Sequence, residues 1–171
     1  MTRRAGYRAD DETPQVRLTG AGITIRRATG DDYDGWLALW AGYNAFYGRK
    51  DATALPEALN RLTWERLQSS SEPMHLLVAS EEEELLGFAH LIFHQTTISP
   101  NPTCYLQDLF VAPEARRRGI AEQLIKAGAA EARSAGAAKL YWQTHQSNSA
   151  ARHLYDRLAE HRGFIVYDVR L

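Results

Sequence analysis

A chain of 171 residues suits one domain whose core needs no disulfide or metal. Hydrophobic residues make up 44% and charged residues 24%, which excludes a largely disordered or fibrous protein, and a formal net charge of -1 lacks the basic excess of a nucleic-acid binder. The single cysteine, Cys104, excludes an intrachain disulfide; with no recognisable signal peptide it points to the cytoplasm. No run approaches the roughly 20 apolar residues that span a bilayer, so no membrane partner is expected.

Residues 1–20 are polar and without apolar period, and read as a mobile tail. A strand is expected at Ile23–Arg27. Either Thr29 or Asp31 then caps a helix running to about Tyr43, with Trp36, Leu37, Leu39 and Trp40 on its apolar side. The aromatic segment that follows, with Asn44 between Tyr43 and Tyr47, either covers the core or lines a pocket, since Tyr and Asn carry polar tips. A second helix runs from Pro56 to about Gln68. Two strands, His75–Ser80 and Leu85–His94, flank four glutamates that read as a solvated hairpin turn. His90 and His94 have no third ligand at a sensible spacing, so no metal is expected.

The stretch from Leu106 to Ala121 organises the rest. An apolar strand (Leu109, Phe110, Val111) meets a turn at Pro113, and Arg116, Arg117, Arg118 and Gly119 open a helix carrying Ile120, Leu124 and Ile125 that ends near Gly136. The first amides of such a helix lack intrahelical partners and the helix dipole is positive there, so the junction suits a pyrophosphate, although three arginines at a helix start are also a common solvated face. A strand at Lys139–Thr144 makes this a crossover unit with parallel pairing. A helix from about Asn148 to Glu160 follows, then Gly163 and a last strand, Phe164–Val169. Asn148 and Tyr155, seven residues apart, project from one face of that helix, about 10 Å apart along its axis.

This order of elements, together with Arg116, Gly119 and Ala121 in the first helix start and Asn148, Ala151, Leu154 and Tyr155 in the later helix, resembles the Gcn5-related N-acetyltransferase (GNAT) superfamily over residues 21–171. The run Leu106–Val111 is similar to spermidine and spermine acetyltransferases, and the segment from Tyr141 onward to Hpa2-like acetyltransferases. The resemblance implies an α/β (α+β) fold. Its single mixed, mostly antiparallel sheet would have six to seven strands, a parallel central pair splayed at the cofactor, and about four flanking helices.

It further implies direct transfer of acetyl from acetyl-CoA to a primary amine of a small molecule, polyamine or amino acid-like, by an enzyme that is often a homodimer. Leu109, Phe110, Val111, Arg116, Arg117, Arg118, Gly119, Ile120, Ala121, Glu122 and Asn148 would hold the cofactor, and Tyr155 would protonate the departing thiolate. Trp40, Tyr43, Asn44, Gln107 and Trp142 would line the acceptor site. Polyamine acetyltransferases carry Glu at the position of Gln107, which cannot act as a base, so Asp108 becomes the candidate base with His145 as a fallback. Strand alternation puts Gln107 and Asp108 on opposite faces, and only one of them can face the acceptor. The alternatives are a protein lysine or N-terminal acetyltransferase and a non-catalytic CoA-binding module.

Overall fold

The computed structural model describes residues 22–171, so the expected N-terminal tail lies outside the described residues. The chain divides after Tyr141 into two compact units. In the first, β1 (Ile23–Arg27), α1 (Tyr33–Phe46), α2 (Glu57–Gln68), β2 (Met74–Glu81), β3 (Glu84–His94), β4 (Thr103–Val111), α3 (Ile120–Ser134) and β5 (Leu140–Tyr141) follow one another. Their strands form one sheet in the order β1-β2-β3-β4-β5, antiparallel as far as β4 and parallel between β4 and β5. The second unit contains α4 (Ser149–Leu158).

Helices cover both faces of the sheet, which explains why β2 is a continuous apolar run without alternation: His75–Ser80 are all buried. On one face α1 lays Trp40 and Tyr43 against Phe88 and Trp36 against His90 of β3, with Trp64 of α2 packed against Trp36. On the other face α3 buries Ile120, Leu124, Ile125, Ala127, Gly128 and Ala132. The glutamate run is a solvated turn between β2 and β3, with Glu81 paired to Glu84. Thr29 rather than Asp31 begins the first helical segment: its N–H donates to Asp32 at 2.7 Å across a 3-10 turn, Gly30–Asp32, that precedes α1. Among the described residues no helix is long and apolar enough to cross a membrane.

Among the described residues the sheet has five strands, not the expected six to seven. The predicted Lys139–Thr144 strand pairs with β4 only at Leu140 and Tyr141. Phe164–Val169 is not a strand, and Phe164, Ile165, Tyr167 and Val169 are 73–86% exposed. Its apolar composition favours an extended chain, but a strand exists only through a partner's ladder, and none of the described strands pairs with it.

The α3 face carries a buried ionic anchor. Glu131 of α3, 7% exposed, accepts hydrogen bonds from Arg27 at the end of β1 and from His75 of β2, the latter at 2.8 Å. Burial alone would push its carboxyl up, but the hydrogen bonds and charges of His75 and Arg27 outweigh burial and hold the pKa at about 2. The folded value lies below the ordinary 4.5, so this stabilisation is complete above that pH and is lost as pH falls towards 2. Glu131→Gln keeps an acceptor oxygen but removes the charge that Arg27 is paired with, and should cost about 2–3 kcal/mol at pH 7. In urea denaturation its difference from the parent protein should shrink as the pH falls from 4.5 to about 2; a difference independent of pH would show that charge does not anchor α3.

Candidate active site

β4 carries one residue more than its partner. His90 pairs with Asp108 and Leu91 with Leu106, so Gln107 is skipped as a β-bulge. Leu91 lies against Gly128 of α3, so Leu106 opposite it faces α3. Asp108 instead turns to the α1 face, where it is 8% exposed, while Gln107 is exposed. Of the two neighbours between which the sequence offered a choice, Asp108 is the one beside the aromatic residues of α1.

There Asp108 ends a fixed hydrogen-bond chain. The Trp36 indole N–H can only donate, and it donates to Nε2 of His90 at 2.9 Å, so the proton of the neutral His90 ring sits on Nδ1 and is donated to Asp108 Oδ2, also at 2.9 Å. The Tyr43 hydroxyl also donates to Asp108, and its pKa is pushed well above the usual phenol value, first by burial and then by the Asp108 charge. Tyr105 lies close by, its phenol raised by burial first and then by Tyr141, Asp108 and Tyr47. Its ring stacks on Tyr141, 4.8 Å away.

α1 ends beside this cluster. Gly48, at φ 79°, takes the left-handed conformation that closes the helix; its N–H bonds to the Ala45 carbonyl and the Arg49 N–H to the Asn44 carbonyl at 2.9 Å. The Asn44 side chain, 4% exposed, donates to the Trp40 carbonyl and accepts from Arg49 Nε at 2.6 Å. Trp40 is 8% exposed, stacks on Tyr43 and donates to Asn60. Trp40, Asn44 and Arg49 border a cavity of about 280 Å³.

Beyond β4, Pro113–Ala115 form a 3-10 turn and α3 begins after Gly119, whose φ of 78° a side chain rarely adopts. Among the described residues no side chain caps this helix start, and a Cβ placed on Gly119 would meet nothing nearer than Gln123 Nε2 at 3.9 Å, so the surroundings of Gly119 are open. Uncapped first amides of a helix, at the positive end of its dipole, suit an anion. Arg117 is itself left-handed at φ 63°. Arg116 turns back, donating to the Val111 carbonyl at 3.2 Å and lying over Phe110, and both residues border a second cavity of about 590 Å³. Arg118 pairs with Glu81 at 2.5 Å. The pairing of β4 with β5 stops at Tyr105, so none of the described strands occupies that edge of β4 along Leu109, Phe110 and Val111.

In the second unit Asn148 caps α4, its side-chain oxygen accepting from the Ala151 N–H at 3.4 Å and its amide donating to Thr144. The Tyr155 ring meets Trp142 edge to face at 5.4 Å. His145 Nδ1 is engaged by Ser147 at 2.6 Å. Cys104 is fully buried, and burial, with the Glu131 charge, pushes its thiol up to about 12, which suits a structural residue.

The model of the acetyltransferase (GNAT) family matches residues 36–159. The chain belongs to that family. It is 31% identical over 147 residues to the N-acetyltransferase YhfO of Bacillus subtilis, covering 85% of this chain and 95% of that one. It is 26% identical over 159 residues to the D-amino-acid N-acetyltransferase HPA3 of Saccharomyces cerevisiae, covering 92% and 96%. A structure of AAC(6')-Iy in complex with a CoA-containing bisubstrate analogue shares the fold, with a TM-score of 0.70 at 21% identity and coverage of 87% of this chain and 99% of that one. As a GNAT protein the chain is an acetyl-CoA-dependent N-acetyltransferase.

Arg49 and Tyr105 were not singled out from the sequence, and His90 entered only as a rejected metal ligand. His90 reads as one more residue of a strand until its cross-strand neighbour is known. Arg49 follows a helix-ending glycine and reads as solvated loop; Tyr105 precedes the motif. The signal for His90 is a lone ionisable residue inside the apolar run of β3, paired by register with the only carboxylate in β4.

Long-range proton–nitrogen spectra should show His90 with its proton on Nδ1 at neutral pH; a proton on Nε2 would contradict the chain from Trp36. Trp36→Phe, which leaves Nε2 without its donor, should lower stability by about 1–3 kcal/mol.

Proposed function

We propose that this GNAT enzyme acetylates the primary amine of a small molecule inside a ternary complex, with Asp108 as the base and Tyr155 as the acid. When bound, acetyl-CoA supplies a thioester carbonyl that an amine attacks directly, so no covalent enzyme intermediate is needed. The observation that carries the cofactor part is the start of α3 after β4, uncapped by any described side chain, where Gly119 takes a left-handed backbone and presents no side chain of its own. The amides around Gly119, Ile120, Ala121 and Glu122 face the pyrophosphate, with Arg116 and Arg117 adding charge, and the unpaired edge at Leu109, Phe110 and Val111 takes the pantetheine amides.

On the acceptor side, Asp108 receives the ammonium proton, directly or through a water, from an amine held beside Tyr43. Two lone-pair sites are taken by His90 and Tyr43, and a carboxylate has about four, so capacity remains. A backbone N–H at Phe110 or Val111 supports the developing oxyanion. Tyr155 delivers its phenolic proton to the departing thiolate, whose acidity is close to its own. The named activities of the relatives fit this class: HPA3 is named for D-amino acids, and other solved structures of the same fold are aminoglycoside acetyltransferases, so small amines recur.

Gly119→Glu should raise the Kd for acetyl-CoA at least about tenfold in calorimetry, while the left-handed backbone costs only about 1 kcal/mol of stability. Unchanged affinity would move the pyrophosphate elsewhere. Tyr155→Phe should lower turnover by about 10²-fold with acetyl-CoA affinity within a factor of two; undiminished turnover would remove the phenol from the acid role.

A further inference from the structure

The acceptor face holds a cation as well as a carboxylate. Arg49 is placed twice over: the helix-closing turn at Gly48 brings its backbone N–H onto the Asn44 carbonyl, and its Nε donates to the buried Asn44 side chain at 2.6 Å. The guanidinium therefore has a fixed direction. Its carbon lies 6.0 Å from the centre of the Tyr43 ring and 5.6 Å from that of Tyr47. Among the described residues its two terminal nitrogens meet no acceptor, whereas Arg26, Arg27 and Arg118 each pair with a carboxylate. Tyr43 thus lies between two opposite charges: its hydroxyl bonds Asp108 and its ring carries Arg49.

We infer that the acceptor is a zwitterionic amino acid, whose ammonium is received at Asp108 and whose carboxylate is held by the terminal nitrogens of Arg49. A guanidinium fork matches a carboxylate with two parallel N–H···O bonds, and its orientation by Asn44 reduces the conformational freedom lost on binding. A polyamine is disfavoured on two counts. A second ammonium would meet the Arg49 charge, and the Tyr43 ring is already taken by Trp40 and Arg49 while Arg49 also lies over Tyr47. The inference rests on the acceptor site proposed above and names the substrate class within it.

The test compares amines that differ only by a carboxylate: phenylalanine, leucine and histidine of both hands against 2-phenylethylamine, isoamylamine and histamine, with spermidine alongside. Thiol release from acetyl-CoA is measured with each and kcat/KM is expressed per unprotonated amine. At least one amino acid should exceed its decarboxylated partner tenfold or more, and spermidine should be the poorest. Arg49→Gln should reduce that ratio at least tenfold, chiefly through KM, and Arg49→Lys should recover part of it, with thermal midpoints showing that both variants fold. Equal efficiency with and without the carboxylate, or a ratio that survives Arg49→Gln, would overturn the amino acid assignment while leaving the small-amine reading intact. Thiol release with none of these amines but with lysine peptides would overturn both.

Discussion

Because Gln107 is skipped in the pairing of β3 with β4, residues two apart on one strand meet opposite faces of the sheet: Leu106 packs towards α3 and Asp108 towards α1. Without the bulge, strict alternation would put Leu106 and Asp108 on one face, and register with His90 would be lost. The bulge therefore lets a strand that is apolar for packing deliver one carboxylate into an aromatic layer. The cost of burying that carboxylate is offset locally, by a histidine whose tautomer Trp36 sets and by a tyrosine hydroxyl.

The two faces treat charge differently, and the difference separates anchoring from chemistry. On the α3 face Glu131 is paired with the Arg27 cation and with His75, and its pKa of about 2 leaves it ionised throughout the neutral range. Such a group holds a helix against a sheet and has no reason to exchange protons with a substrate. On the α1 face Asp108 has only neutral partners, a phenol and a neutral imidazole, so its charge is uncompensated by a protein cation in contact with it. A buried anion of that kind attracts a cation from outside, which is what an ammonium acceptor supplies.

Most of the fold was legible because it is written in local pattern. The strands β1 to β4, the helices and the strand–loop–helix junction at Pro113 to Gly119 all follow from apolar period and turn residues. The failures have one physical origin. Phe164–Val169 and Trp142–Thr144 have strand composition, but a strand is a property of two chains in register, and composition does not say whether the partner is there. The same limit hid the bulge, since skipping a residue is decided by the pairing of β3 with β4. It hid His90 too, whose meaning comes from a residue eighteen positions away. Asp108 was legible as a candidate only because its neighbour Gln107 cannot take up a proton.

Arg49 shows how a helix ending can place a charged side chain without a rigid strand beneath it. The left-handed glycine at position 48 turns the chain back on α1, so Arg49 returns towards residues of the last helical turn instead of departing into solvent. Asn44 then serves both ends of the device: its backbone carbonyl receives the turn's N–H and its side chain receives the guanidinium. Its amide is in turn oriented by Trp40, which belongs to the same aromatic stack as Tyr43. The position of the cation is therefore inherited from the packing of α1 on the sheet, the same packing that brings Tyr43 to Asp108. A substitution that shifts α1 would displace both charges together, which ties the spacing between them to the core rather than to the loop.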